Sequence, residues 1–212
     1  MPMNVDEAIK KMRENSKKRN FTQTVDLIVN IKDVDLKNPS NRFVMEVMLP
    51  AGRGKDVKVC VIGKSLAEVA KNIADEVIDE KVLEECESDK RRMKKLVKRI
   101  DFFLAEPQLM TRIGKVMGKY LGPRNKMPKP VPPQTDIRPM VERLKKSVRV
   151  VLKDNPLIQC PIGTEDMSDD DLKKNFEAVI SAIINKLPNG RNNIRSVYIK
   201  TTMGSPVKVD EF

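Results

Sequence analysis

The sequence predicts an α/β protein of two domains: a discontinuous two-layer α/β domain, and an open-sheet Rossmann-like α/β domain inserted into it. Three observations predict this. Apolar residues recur at period two near both ends of the chain, capping patterns announce helices beside them, and the middle alternates strands with helices as a parallel sheet requires. Residues 1–64 and 160–212 are expected to form the discontinuous domain and 65–159 the insertion.

Taken in order, the first helix should start near Asn4, whose side chain can cap free amides while Glu7 completes a capping-box pattern. Val5, Ala8, Ile9 and Met12 then form its apolar stripe, and the other face carries Lys10, Lys11, Lys17, Lys18 and Arg19. QTVDLIVNI places Val25, Leu27, Val29 and Ile31 at period two, and RFVMEVML does so with Phe43, Met45, Val47 and Leu49, so both are half-buried strands. A shorter strand, VKVCVI, ends at Gly63. Ser65 and Glu68 then suggest a helix running through LAEVAKNIADEVI.

A charged helical stretch leads to the apolar strand DFFLAE, the segment PQLMTRIGKVMGKYL, a Pro-rich surface loop at 128–134, a helix opening near Asp136, and the strand VRVVLK. The turn at Asp154-Asn155-Pro156 returns the chain to the first domain. There Ser168 and Asp171 cap a long helix with Leu172, Phe176, Val179, Ile180, Ile183 and Leu187 on its apolar face, followed by the strand IRSVYIKTT and the turn MGSP.

Composition bounds the chemistry. Lys and Arg outnumber Asp and Glu by 41 to 30 in 212 residues, a formal net charge of +11 that favours a polyanionic partner. Histidine is absent, which removes the usual general base and the commonest metal ligand, so Ser-His-Asp, Cys-His and zinc-finger readings fail. Cys60, Cys86 and Cys160 are never spaced as C-x-x-C and are expected to be buried reduced thiols. No signal-peptide core or membrane span is apparent, and a cytoplasmic location follows as the expectation.

Two phosphate motifs come close and miss. Gly63-Lys64-Ser65 would need glycine at position 58, where Lys58 stands, and Gly52-Arg53-Gly54 would need it at 57, where Val57 stands. Acidic runs such as Glu84-Glu85 and Asp169-Asp170-Asp171 sit in polar or helix-start contexts, where carboxylates favour the helix dipole. No nucleophile, base and orienting group can be assembled, so no catalytic residue is expected.

Two basic segments remain. KRRMKKLVKR at 90–99 holds seven basic residues, while 112–129 carries Arg112, Lys115, Lys119, Arg124, Lys126 and Lys129 without an acid. Within the second, IGKVMGKYLGPRNKMP (113–128) resembles the signature of the ribosomal protein L-one family, and RSVYIKTTMG (195–204) resembles its C-terminal RNA-contact segment. NFTQTVDL and LPAGRGK extend the resemblance through nearly the whole chain, and NKMPKPVPPQ looks archaeal in type.

The resemblance implies two α/β domains joined by paired hinges. It implies a mobile-stalk protein whose discontinuous domain binds large-subunit ribosomal RNA, which contacts exit-site tRNA and represses translation of its own messenger RNA. Carried over residue by residue, the RNA contacts are Phe21, Asp26, Ser196, Thr202, Met203 and Gly204. Phe21 suits apolar contact, the two hydroxyls suit phosphate or ribose, Met203 suits an irregular surface, and Gly204 suits close backbone approach. Secondary contacts are expected at Lys17, Lys18, Arg19, Arg124 and Lys126, although Gly122, Pro123, Arg124, Met127 and Pro128 read as structural first. The expected protein is a monomer when free, needs no cofactor, metal or membrane, and works in the large ribosomal subunit. An RNA-modifying enzyme and a nonspecific nucleic-acid packing protein are the alternatives.

Overall fold

The computed structural model describes residues 3–133 and 135–212, with the backbone alone described at 86–88; Cys86 and Gln134 therefore lie outside the described side chains. The chain divides into two compact units, residues 1–55 with 146–212, and residues 56–145. The crossings fall nine and fourteen residues before those expected, after residues 55 and 145 instead of 64 and 159. Strand pairing is the reason: VKVCVI pairs inside the insertion, and VRVVLK pairs inside the discontinuous unit.

The discontinuous unit opens with α1 (Val5–Glu14), whose Asn4 side chain accepts the Glu7 amide at 2.9 Å. Its predicted stripe of Val5, Ala8, Ile9 and Met12 is buried. The helix stops at Glu14, so Lys17, Lys18 and Arg19 lie on the loop beyond it and not on a helical face. Strand β1 (Thr24–Ile31) alternates strictly, burying Val25, Leu27, Val29 and Ile31, and β2 (Phe43–Met48) follows.

The insertion begins with β3 (Val59–Ile62), buried at every position as a central parallel strand should be. Helix α2 covers only Ser65–Ala70, and Glu76–Ile78 is instead the strand β4. Ser65 does not cap α2. The buried Glu106 carboxylate takes the Leu66 amide at 2.8 Å in its place, a partner forty residues away. The charged stretch breaks at Asp89 into α3 (Glu80–Ser88) and α4 (Lys90–Arg99), because the Asp89 carboxylate caps α4 through the Arg91 and Arg92 amides.

Strand β5 (Phe102–Ala105), α5 (Met110–Leu121), β6 (Lys129–Pro130) and α6 (Arg138–Lys145) complete the unit. The parallel sheet runs β4-β3-β5-β6. Its two faces make separate cores: Cys60, Ile62, Phe103 and Ala105 pack with α3, α4 and α5, while Val59, Val61, Phe102 and Leu104 pack with α2 and α6. The Pro-rich segment is only partly a surface loop, since β6 lies along β5 and Val131 is buried. Proline is tolerated there because β6 is an edge strand.

Back in the discontinuous unit, β7 (Ser147–Leu152) pairs antiparallel with β2. Strand β8 (Leu157–Thr164), α7 (Asp169–Lys186), β9 (Ile194–Thr201) and β10 (Val207–Val209) follow. Ser168 caps α7 through the Asp171 amide at 3.1 Å. The antiparallel sheet runs β10-β9-β1-β8, with α1 and α7 packed over one face. Burying each Val, Leu, Ile or Met of that core contributes about 1.5–3 kcal/mol. The alternate residues of β1 and β9, half-buried for the most part, lie on the opposite face and outside the core that α1 and α7 cover.

Candidate nucleic-acid interface

The register gathers the predicted residues at one end of the sheet. Because β1 runs antiparallel to both β8 and β9, Thr24 lies opposite Thr164 and Val25 opposite Thr201. The loop 15–23 before β1, the loop after β8 and the turn after β9 therefore meet. The loop 50–54 joins them through Gly54, whose φ is +69° and where a Cβ would lie 2.5 Å from Thr164 Oγ1 and 2.8 Å from Met167 Sδ.

Buried and half-buried polar side chains lock these loops together. Gln23, 1% exposed, donates from Nε2 to Ser16 Oγ at 3.0 Å, the Lys17 carbonyl at 3.1 Å and Glu165 Oε2 at 3.1 Å, and its Oε1 accepts the Met203 amide at 3.1 Å. Arg13 donates to the Glu165 and Met167 carbonyls at 2.6 and 2.5 Å and pairs with Asp169 at 2.6 Å. Thr201 Oγ1 meets Ser16 Oγ at 3.0 Å. Asn175, fully buried on α7, donates to the Gly52 and Ile162 carbonyls and accepts the Ala51 amide. Buried polar groups satisfied in this way fix one loop geometry, because each broken bond would leave an unpaired group behind.

On that frame Phe21 is 50% and Met203 60% exposed, two of the large apolar side chains that the described residues present to solvent. Lys17, Lys18 and Arg19 are exposed beside Phe21 on the same loop. The Thr202 hydroxyl is engaged internally, accepting the Thr24 amide at 3.0 Å and donating to the Thr24 carbonyl at 3.3 Å. Gly204 has no positive φ, and an added Cβ would fall 2.3 Å from Thr201 Oγ1. Its missing side chain therefore makes room for Thr201 inside the protein. Close approach of a ligand, the reason expected from sequence, is not needed to explain it.

Asp26 and Ser196 belong to the open face of the sheet. Asp26 lies opposite Lys200, and Ser196 lies opposite Asn30, whose Nδ2 donates to its hydroxyl at 2.8 Å. By strand rise, Ser196 stands roughly 20 Å from the Thr202 turn. The structure thus separates it from the cluster with which sequence reasoning grouped it. Between them a shallow cavity of about 240 Å³ is lined by Asp26, Ile28, Gln159, Pro161 and Lys200. Desolvation raises the Asp26 carboxyl above the usual range, and the nearby charges of Lys200 and Arg53 oppose that rise only in part. Burial also pushes the Cys160 thiol up to about 12, an inert core cysteine.

In the insertion, Arg124 is exposed and reaches the Tyr120 carbonyl at 3.4 Å. Lys126 turns inward, its ammonium donating to the Val97 and Ile100 carbonyls at the end of α4. The signature loop thereby closes a helix C-terminus, where a cation is favourable. At the start of α2, where a nucleotide phosphate would sit, the Glu106 carboxylate already occupies the free amide. Among the described residues, no cluster of His, Cys, Asp or Glu is arranged to hold a metal ion, and no helix is long and apolar enough to cross a membrane.

Sequence reasoning missed Arg13, Gln23 and Asn175. Each was in phase with a buried face: Arg13 follows Ile9 by four residues, Gln23 precedes Val25 by two, and Asn175 follows Leu172 by three. A polar residue at an apolar position was the available signal.

The model of the ribosomal protein L1p/L10e family matches residues 10–205. The large ribosomal subunit protein uL1 of Pyrococcus horikoshii is 55% identical over 206 residues, covering 96% of this chain and 94% of that protein. The uL1 protein of Thermococcus kodakarensis is likewise 55% identical, covering 96% and 95%. That of Methanothermobacter thermautotrophicus is 48% identical over 211 residues, covering 99% of this chain and all of its own length.

Proposed function

Since this chain belongs to the ribosomal protein L1p/L10e family, as a protein of the large ribosomal subunit and not an enzyme, we propose that it binds a folded element of large-subunit ribosomal RNA through the loop end of its discontinuous unit. The observation that carries this reading is the exposed pair Phe21 and Met203, flanked by Lys17, Lys18 and Arg19, on loops fixed from beneath by Gln23 and Arg13. Shaped RNA is recognised by clustered apolar, hydroxyl and cationic contacts, and a surface already rigid loses little entropy on binding. The basic residues release counterions from phosphate, and the apolar pair selects the shape. Asp26, half-buried behind Lys200, orders the cationic side chains of the open face, and Ser196 extends that face toward ribose.

On this reading the protein moves with the stalk and contacts departing exit-site tRNA. Free protein binds a similar fold in its own messenger RNA and represses its translation, so ribosomal and messenger RNA compete for one surface. The protein acts as a monomer when free. A packing protein would lack a preformed surface of this kind and would not discriminate among RNA folds.

Sequencing the RNA crosslinked to the protein in cells tests all three partners together. Reads should concentrate on one folded segment of large-subunit RNA, with smaller peaks on tRNA and on the protein's own message, and all should fall in a Phe21→Ala, Met203→Ala variant. Recovery of RNA simply in proportion to abundance would overturn the proposal.

A further inference from the structure

A second surface, in the inserted unit, has a use of its own. Helix α4 holds seven basic residues in ten, and its three apolar ones, Met93, Leu96 and Val97, are buried. At 100° per residue these three cover one arc of the helix, and the remaining arc of roughly 200° is entirely cationic. Every basic side chain on it is exposed.

This arrangement opposes the stability of the helix. Lys90, Arg91 and Arg92 sit in the first turn, where the helix dipole disfavours cations, and only the Asp89 cap counters them. Lys90 with Lys94, Arg91 with Lys95, and Lys94 with Lys98 are like-charge pairs four residues apart, each destabilising by about 0.2–0.5 kcal/mol. Arg92 is paired with Glu85, Arg99 with Glu76, and Lys94 lies 5.9 Å from the centre of the Tyr120 ring. Lys90, Lys95 and Lys98 have no ion-pair partner among the described residues, and Arg91 interacts electrostatically with the Asp89 carboxylate, which is already engaged as the helix cap.

We infer that the exposed face of α4 is a second, sequence-independent RNA contact, binding the phosphate backbone through Lys90, Arg91, Lys95 and Lys98. The helix is about 15 Å long, enough to meet several phosphates of a strand. The choice of RNA over an acidic protein rests on what the face lacks: protein interfaces draw their energy from buried apolar and aromatic anchors, and this arc offers none. A polyphosphate backbone requires only placed cations. The contact is independent of the loop end of the other unit. It gives the chain two points of attachment to RNA, which raises overall avidity when both are engaged.

The test uses the full chain and a twenty-base-pair RNA duplex of arbitrary sequence, with affinity measured across a series of salt concentrations. The combined variant Lys90→Gln, Arg91→Gln, Lys95→Gln, Lys98→Gln should lower the slope of log affinity against log salt by about 3. It should also weaken duplex binding more than tenfold near 100 mM salt. A control with the same charge change in the other unit, Lys32→Gln, Lys37→Gln, Lys153→Gln, Lys186→Gln, should alter the slope by less than about 1. The charge-keeping set Lys90→Arg, Lys95→Arg, Lys98→Arg should bind as the parent does, which separates charge from helix integrity should the glutamine set unfold. Equal effects of the α4 and control sets would overturn the inference. So would a glutamate-rich peptide whose binding depends on α4 while duplex binding does not.

Discussion

Gly204→Ala should unfold the discontinuous unit more easily for a steric reason that one further substitution relieves. The new Cβ would lie 2.3 Å from Thr201 Oγ1, so one of the two must move by about an ångström to reach ordinary contact. The movement breaks the 3.0 Å contact of Thr201 Oγ1 with Ser16 Oγ, worth about 0.5–1.5 kcal/mol, and overpacking adds about 1–3 kcal/mol. A total of about 1.5–4.5 kcal/mol follows. Thr201→Ala alone costs about 1 kcal/mol, because Ser16 Oγ keeps the Gln23 amide as a partner. The double variant should cost little more than Thr201→Ala, so the favourable coupling should nearly equal the cost of Gly204→Ala alone. Urea unfolding in a Tyr120→Phe background measures this. The chain has two tyrosines and no tryptophan, so Tyr198 on β9 becomes the fluorescent reporter of this unit. Since the added methyl points at Thr201, the double variant should also bind structured ribosomal RNA within about threefold of the parent. Additive costs without coupling would refute the steric argument. Restored stability with lost binding would show that RNA touches Gly204 itself.

Met203→Ala should leave stability within about 0.5 kcal/mol while weakening structured-RNA binding about tenfold, whereas Thr202→Ala should lower both, since its hydroxyl ties the turn to Thr24; filter binding and urea unfolding on the same preparations distinguish them. The raised Asp26 carboxyl holds its proton more tightly folded than unfolded, so its contribution is fully present below the unfolded value near 3.8 and is lost as pH rises through the higher folded value. Stability of Asp26→Asn relative to the parent should therefore improve as pH rises from 3 to 6, and a flat difference would exclude the desolvation argument. Glu106→Ala should speed hydrogen exchange at residues 65–70 and cost the insertion about 1–3 kcal/mol, leaving RNA binding by the other unit intact.

The sequence by itself determined whatever depends on neighbours within a few residues. The Asn4 and Ser168 caps, the buried stripes of α1 and α7, and the alternation of β1 all follow from local spacing and stand in the fold. Tertiary structure decided what depends on partners far along the chain. Pro161 interrupts the pattern of β8, which exists because β1 supplies its pairing. The segment VRVVLK could close either unit, and it is β2 that holds it. Helix α2 is short because EVI gains more as a strand beside β3, and its start is capped by Glu106 instead of its own Ser65. At the candidate interface Phe21 and Met203 were grouped by the family resemblance alone, and spacing and periodicity carried nothing that joins them. Their common position depends on Gln23, whose partners lie up to 180 residues away. Periodicity records which face of an element meets the core, but it carries no record of which distant backbone group a buried amide must satisfy.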